Sequence, residues 1–366
     1  MRIGTISILI GCGLLVSCEM PGPDLAGELV LELPETPYSY SGAVPDAVPA
    51  LGRVLFYDRQ LSMNNTIACA SCHKQGHGFA DNVALSKGFE GKTTRRNSLS
   101  IQNLHAFPNG CFCGPRPEQP TESGGLFWDG REAVLMDLVM RPVADHIEMG
   151  ITSPQALAQK LQQLPYYADL FNAAYNTTEV RPDLISHALH QFLLEIRADR
   201  TILDQSMLGE KRLTELERTG EELFFSKYDC NSCHGVQSPS GYVFNGTFAN
   251  IGLDEQYADN GLSLVTKNSS DAGKFRIPSL RNVALTAPYM HDGRFKSLED
   301  VIDHYSESIA NHPNLDHRLR TTSGAPARMN INDRDKAAII AFLHTLTDHE
   351  MIADVRFSDP FKLKAE

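Results

Sequence analysis

Cys69-Ala70-Ser71-Cys72-His73 and Cys230-Asn231-Ser232-Cys233-His234 are two copies of one pentapeptide, Cys-x-x-Cys-His, standing far apart in a chain of 366 residues. This is the c-type haem attachment signature. Two thiols add across the vinyl groups of one haem, and the adjacent histidine lies under the iron as its proximal ligand. The rival readings are a zinc half-site and a thioredoxin-type redox pair. Zinc would want further ligands at finger spacing, and a redox pair has no need of histidine at the next position twice. The motifs therefore predict two covalently bound haem c groups, one on Cys69, Cys72 and His73, the other on Cys230, Cys233 and His234.

Around the two motifs the chain repeats a word order. Leu51-Gly52-Arg53-Val54-Leu55-Phe56-Tyr57 precedes the first motif, and Arg96-Asn97-Ser98-Leu99 and Trp128-Asp129-Gly130-Arg131 follow it. Gly220-Glu221-Glu222-Leu223-Phe224-Phe225-Ser226 precedes the second, and Arg276-Ile277-Pro278-Ser279-Leu280 and His291-Asp292-Gly293-Arg294 follow in the same order. Each unit reads as helix, haem pentapeptide, irregular loop and a helix closing the far side of the haem. Periodicity and caps place helices over Thr214 to Ser226, from Pro182 through Leu194, from Ser297-Leu298-Glu299-Asp300 onward, and over Asp333 to Leu346 behind an Asn332 cap. Strand signals are few, and the Gly- and Asn-rich run Ser238 to Ser270 reads as a loop around the second haem. The fold expected is mainly α, with two cytochrome c-like haem domains arising from a duplication and their haems facing a seam.

The N-terminus bears on compartment. Met1-Arg2 is followed by an apolar stretch, Ile3 to Val16, too short for a stable membrane anchor. It ends at Leu15-Val16-Ser17-Cys18, which resembles a bacterial lipobox, so Cys18 is the expected lipidation site; an ordinary secretion signal with an incidental cysteine is the alternative. Acyl chains would hold the protein stably at a membrane surface. Met20 to Tyr40 is rich in Pro, Glu and Gly and reads as a tether. The formal charge of -12 argues against nucleic-acid binding. Of the eight cysteines, Cys12 goes with the signal, Cys18 takes lipid and four hold haem. Cys111 and Cys113 remain, as a local disulfide or a pair of reactive thiols.

From about Pro45 to about His349 the residues resemble the bacterial dihaem cytochrome c peroxidase and MauG family. The markers are both haem motifs, Phe127-Trp128-Asp129-Gly130-Arg131, Pro142 with Glu148-Met149-Gly150, and Pro278 through Tyr289. The lipobox and the composition after it make residues 1–17 the expected lipoprotein signal peptide and 18–41 a flexible tether. The resemblance implies 42–205 as a peroxidatic haem domain, 206–350 as an electron-transfer haem domain and 351–366 as a C-terminal tail. It implies Glu148 as the acid–base carboxylate beside the first haem, since bound peroxide needs a group to take its proton and return it to the leaving oxygen. It puts Trp128, the single tryptophan, between the haems as an electron mediator, and Asn97, Thr286 and Pro288 at one calcium ion held by oxygen ligands. By the same analogy the protein is a homodimer.

Three departures stand against that pattern. Phe89, in Ser86-Lys87-Gly88-Phe89-Glu90-Gly91, occupies the place of a histidine that caps the resting first iron, so that haem is expected open, with His77 and His105 the nearest substitutes. Tyr305 occupies the place of the methionine distal to the second haem, as in MauG-type members; a slip of register would give His304 or Met290. A phenolate stabilises the higher oxidation states of iron, so a low potential is expected there. Leu138 stands where a glutamine is usual, and His146 where a proline is usual. The leading expectation is a cytochrome-c peroxidase that reduces hydrogen peroxide to water with electrons from a small c-type cytochrome or another periplasmic donor. It would work on the periplasmic side of a bacterial membrane. A MauG-like oxidase using high-valent iron on a protein or organic substrate is the second reading, and a non-enzymatic dihaem electron carrier the third.

Overall fold

Gly52 and Gly220 set the spacing of the two principal helix pairs in the computed structural model, which describes residues 6–7, 29–33, 37–38, 44–106, 125–235 and 247–363. The helices run α1 (Ala47–Tyr57), α2 (Cys69–Cys72), α3 (Leu135–Leu138), α4 (Arg141–Ala144), α5 (Pro154–Gln162), α6 (Pro165–Tyr175), α7 (Pro182–Glu195), α8 (Ile202–Met207), α9 (Glu215–Glu222), α10 (Ser263–Thr266), α11 (Leu298–Glu307) and α12 (Asp333–Thr345). Helix α1 packs on α7, and a Cβ on Gly52 would lie 2.0 Å from Ala188 O and 2.7 Å from Phe192 Cβ. Helix α9 packs on α12, and a Cβ on Gly220 would lie 1.9 Å from Ala338 O and 2.8 Å from Phe342 Cβ. Only glycine lets the backbones approach so closely. Four residues on, Phe56 meets Phe192 and Phe224 meets Phe342, each pair with ring centroids 5.3 Å apart. The two helix pairs thus share one packing scheme, residue for residue.

Local signals account for the ends. Pro182 opens α7 at a first-turn position where its missing N–H costs nothing. Asn332 caps α12 by accepting from Asp335 N, and Ser297 and Thr214 cap α11 and α9 with reciprocal bonds from Asp300 and Glu217. The expected helix over Thr214 to Ser226 ends at Glu222 as an α-helix and continues as a π-turn over Leu223–Lys227.

Two cores result. The first gathers Phe56, Tyr167, Phe171 and Phe192 from α1, α6 and α7 with Phe79 from the turn after the first motif, and the second Leu298, Ile302 and Phe342 from α11 and α12 with Phe224 after α9 and Leu346 at the end of α12. Polar contacts join them: the buried Arg281 Nη1 donates to Ala198 O at 2.9 Å, Gln102 Nε2 donates to Arg281 O, and Asn97 N donates to His291 O at 2.8 Å.

Strands are as short as expected. β1 (Ile6–Ser7), β2 (Leu29–Leu31) and β5 (Phe361–Leu363) form an antiparallel sheet in the order β1-β2-β5, and β3 (Phe248–Ala249) pairs with β4 (Phe275–Arg276). Part of the expected tether is therefore docked: β2 pairs with β5, and Leu31 and Tyr38 enter the first core. The C-terminal tail is docked as well. Phe357 is buried among Phe79 and Phe192, Arg53 Nε donates to Ser358 O at 2.6 Å, and Tyr57 donates to Phe357 O at 2.6 Å. Cys12, Cys18, Cys111 and Cys113 lie outside the described residues. Among the described residues, no helix is long and apolar enough to cross a membrane.

Candidate active site between two haem-attachment motifs

Cys69 and Cys72 occupy the ends of the single turn α2, a spacing that brings their thiols to one side. His73 follows directly, its N–H donating to Cys69 O at 3.0 Å. His73 Nδ1 lies 2.9 Å from Phe79 O. A carbonyl only accepts, so Nδ1 carries the proton and Nε2 keeps a lone pair for a metal. The second motif repeats this: His234 N donates to Cys230 O at 2.9 Å, and His234 Nδ1 lies 3.1 Å from Pro278 O. Burial lowers the pKa of both rings and favours the neutral, ligating form. Burial also pushes the Cys69 thiol up to about 12, Cys72 to about 11 and Cys230 to about 12. Neutral thiols of this kind are poor redox nucleophiles. Among the described residues, no cluster of three or more His, Cys, Asp or Glu gathers for zinc.

Each motif opens onto a cavity. The first, of about 670 Å³, has Cys72, His73, Trp128, Leu138 and Glu148 in its wall. The second, of about 240 Å³, has Cys230, Cys233, His234, Met290 and Tyr305. Trp128, Asn97, Ser98, Arg276, Pro278 and Ser279 belong to both walls. Trp128 is held from each side: its Nε1 donates to Asn97 O at 2.9 Å, and its carbonyl accepts from Arg276 N at 2.9 Å. The thiols outside any disulfide, the neutral imidazoles, the apolar walls and the guanidinium groups of Arg96 and Arg276 fit a haem in each cavity, the arginines supplying the charge that propionates require.

Glu148 stands on a turn after α4, where Asp145 O collects the N–H groups of Glu148, Met149 and Gly150. The turn is clamped from outside, since Phe89 N donates to Glu148 O at 2.8 Å and Met63 N to Met149 O at 2.9 Å. Burial raises the Glu148 pKa, the Asp145 charge adds to this, and Arg131 opposes it. Phe89 itself is outside the cavity wall; its ring packs on Gly150. His77, His105 and His146 are also absent from that wall, so His73 is its one histidine among the described residues.

In the second cavity, Tyr305 and Met290 both line the wall, together with Met329. His304 does not; its Nε2 is 3.0 Å from Ile251 O. Burial raises the Tyr305 pKa well above that of an ordinary phenol, with the Cys233 and Cys230 thiols adding to it. Asn97 and Thr286 reach the second cavity, but Asn97 Nδ2 donates to Val83 O and Ala84 O and Thr286 Oγ1 to Val283 O, while Pro288 follows a cis peptide bond.

Sequence reasoning passed over Arg96 and Arg276. Arg96 ties Asp129 at 2.6 Å to Asp259 at 2.6 Å, bridging the segments that carry Trp128 and the second-haem loop. The signal was present, because both arginines open the repeated word after a haem motif.

A helical chain with two such histidine-backed cavities sharing one tryptophan is a dihaem c-type oxidoreductase. A model described as "Di-haem cytochrome c peroxidase" matches residues 46–212. The methylamine utilization protein MauG of Paracoccus denitrificans is 29% identical over 358 residues, covering 83% of this chain and 89% of that one. Cytochrome c551 peroxidase of Pseudomonas aeruginosa is 28% identical over 334 residues, covering 88% and 86%. A crystal structure of a MauG-like protein associated with microbial copper homeostasis aligns with a TM-score of 0.73 and 31% identity, covering 94% of this chain and 99% of that one. The chain belongs to the dihaem cytochrome c peroxidase and MauG family.

Proposed function

We propose that the protein reduces hydrogen peroxide to water at the first haem, with Glu148 as acid–base catalyst and electrons drawn through the second haem from a small c-type cytochrome or another periplasmic donor. The observation that carries this reading is the first cavity, whose wall joins a histidine suited to ligation, His73, to a half-buried carboxylate, Glu148, with no second histidine in that wall among the described residues. The haem, when bound, supplies the peroxide-binding iron and holds the oxidising equivalents. Glu148, its pKa raised by burial, takes the peroxide proton and delivers it to the departing oxygen. Leu138 keeps the distal side apolar. Trp128, in both walls, is the bridge for electrons. Tyr305, in the wall of the second cavity, would be the residue to ligate the second haem's iron, and Asn97, Thr286 and Pro288 would hold a calcium ion at the seam. The shared scheme of Gly52 and Gly220 supports a duplicated two-domain architecture, and Cys18 supports lipid anchoring on the periplasmic side of a membrane.

Tyr305 in the second wall and Phe89 outside the first favour a second reading, a MauG-like oxidase acting on a protein or organic substrate. One experiment separates the two. The as-isolated ferric protein is mixed with peroxide in the presence of reduced cytochrome c. Rapid oxidation of the cytochrome without prior reduction of the enzyme is the peroxidase result. A long-lived oxidised haem spectrum with negligible cytochrome oxidation is the oxidase result.

A further inference from the structure

Helix α6 carries three tyrosines, and each phenol has a hydrogen-bonded group able to take its proton. Tyr166 and Tyr167 donate to the same oxygen, Asp58 Oδ2, at 2.6 and 2.7 Å. Tyr175 Oη donates to Leu184 O at 3.2 Å and lies 2.9 Å from His187 Nδ1 on α7, which can take its proton when the ring carries its own on Nε2. The rings form a continuous series along the helix. Centroids are 4.6 Å apart for Tyr166 and Tyr167, 6.2 Å for Tyr167 and Phe171, 6.1 Å for Phe171 and Tyr175, and 5.8 Å for Tyr175 and His187. One end of the series is buried in the first core, where Tyr167 is 0% exposed and where Cys69, one of the two haem-attachment residues, packs against the same cluster. The other end, Tyr175 and His187, is half-buried.

From this arrangement we propose a tyrosine relay that carries oxidising equivalents from the first haem to the protein surface at Tyr175. The proposal rests on the peroxidase reading, which supplies the oxidant. A phenol that loses an electron becomes a strong acid, so oxidation is easy only where a base already holds its proton. Tyr167 gives one electron to the oxidised haem and its proton to Asp58. Tyr175 then gives one electron to the Tyr167 radical, which takes its proton back from Asp58. The Tyr175 proton passes to His187 Nδ1. A one-electron reductant in solution, of the ascorbate or thiol class, returns the electron to Tyr175 as His187 returns the proton. Phe171 is no stopping place for the charge; it shortens the jump with a ring in contact on both sides. Packing alone would be served by phenylalanine at position 175. Two phenols converging on one buried carboxylate, whose own pKa burial raises, go beyond what filling a core requires.

The experiment uses the full dihaem protein. Ferric enzyme is mixed with peroxide without a donor, freeze-quenched and examined by EPR, with the Soret band followed in parallel. Ring-deuterated tyrosine in the growth medium identifies a tyrosyl signal by its narrowing. The expected result is a tyrosyl radical in the parent protein that is lost in both Tyr175→Phe and Tyr167→Phe, together with severalfold faster haem bleaching under excess peroxide. His187→Gln, which leaves all three phenols in place, is expected to cut the signal as well. A Soret band that responds to peroxide while the tyrosyl signal is absent, or unchanged in Tyr175→Phe, overturns the relay and leaves the peroxidase reading standing. A Soret band indifferent to peroxide overturns both.

Discussion

Gly88→Ala is a one-methyl test of whether the turn bearing Glu148 sets the rate. Gly88 is a buried residue of the loop that precedes Phe89, with φ −109° and ψ −153°, an extended conformation open to alanine. The effect is therefore steric rather than conformational. A Cβ there would stand 2.1 Å from Ile147 O and 3.0 Å from both Glu148 Cα and Glu148 O. Ordinary heavy-atom contact is about 3.5 Å, so the two segments must part by about 1.4 Å, more than the roughly 1 Å that already matters to a catalytic group. The Phe89 N to Glu148 O bond lies in the path of that movement. Overpacking of this size costs about 1–3 kcal/mol, well short of unfolding a stable domain. A catalytic group displaced by about 1 Å loses about 100-fold in rate. The expected outcome is a folded protein with full haem content whose second-order rate with peroxide, read by stopped flow at the Soret band, falls by about 100-fold. An unchanged rate in a folded Gly88→Ala protein would mean that the Gly88 loop yields while the carboxylate stays, and the argument that this loop positions Glu148 would be refuted.

Other outcomes follow from the same geometry. Glu148→Gln keeps the shape and removes the base, so the peroxide rate falls by about 100- to 10,000-fold; a near-normal rate would take Glu148 out of the chemistry. Because the raised pKa belongs to the form that must be deprotonated to act, the parent rate climbs with pH through a midpoint above the ordinary glutamate value of about 4.3, and Glu148→Gln flattens that limb of the profile. Tyr305→Met exchanges a phenolate for a thioether and raises the second haem's potential by on the order of 100 mV, measured by spectroelectrochemical titration; no change would point to Met290 or Met329 as the ligand. Gly220→Ala drives a methyl against Ala338 O and lowers stability by about 3 kcal/mol in urea titration, the upper end of overpacking costs.

Much of this site was legible because its chemistry is local. A haem c needs two thiols and a histidine within five residues, and the repeated words then set Trp128 and His291 at matching places, while the arginines that open those words, Arg96 and Arg276, drew no role. Helix ends were legible where a cap marks them, as at Ser297 and Asn332. The π-turn after α9 was not, because Leu223 to Lys227 keeps a helical pattern and only the packing of Phe224 and Phe225 on Phe342 distinguishes it. The docking of residues 351–363 on the first core was also hidden. Met351, Phe357 and Phe361 are too sparse for a periodic signal, and their partners lie some 300 residues away, as with Tyr57 and Phe357. Tyr305 shows the same limit from the other side. Its residue type was legible, while its entry into the cavity in place of His304 depends on Ile251 O occupying the histidine.

The distribution of forces around Trp128 bears on how two haem sites act as one device. Each core is apolar and self-contained, built on its own close helix pair, whereas the join is made of hydrogen bonds and ion pairs. Apolar contacts tolerate sliding, because they have no direction; hydrogen bonds lose most of their strength when misaligned. Trp128 is fixed by two of them, one to Asn97 O beside the first motif's loop and one from Arg276 N beside the second. Arg96, held by Asp129 and Asp259, closes the same bracket from the edge. The indole therefore has a defined orientation toward both cavities that neither core could impose alone. A join of directional bonds fixes distance and angle between two redox sites while leaving each site's own pocket free to be tuned by its own residues, Glu148 and Leu138 on one side and Tyr305 on the other.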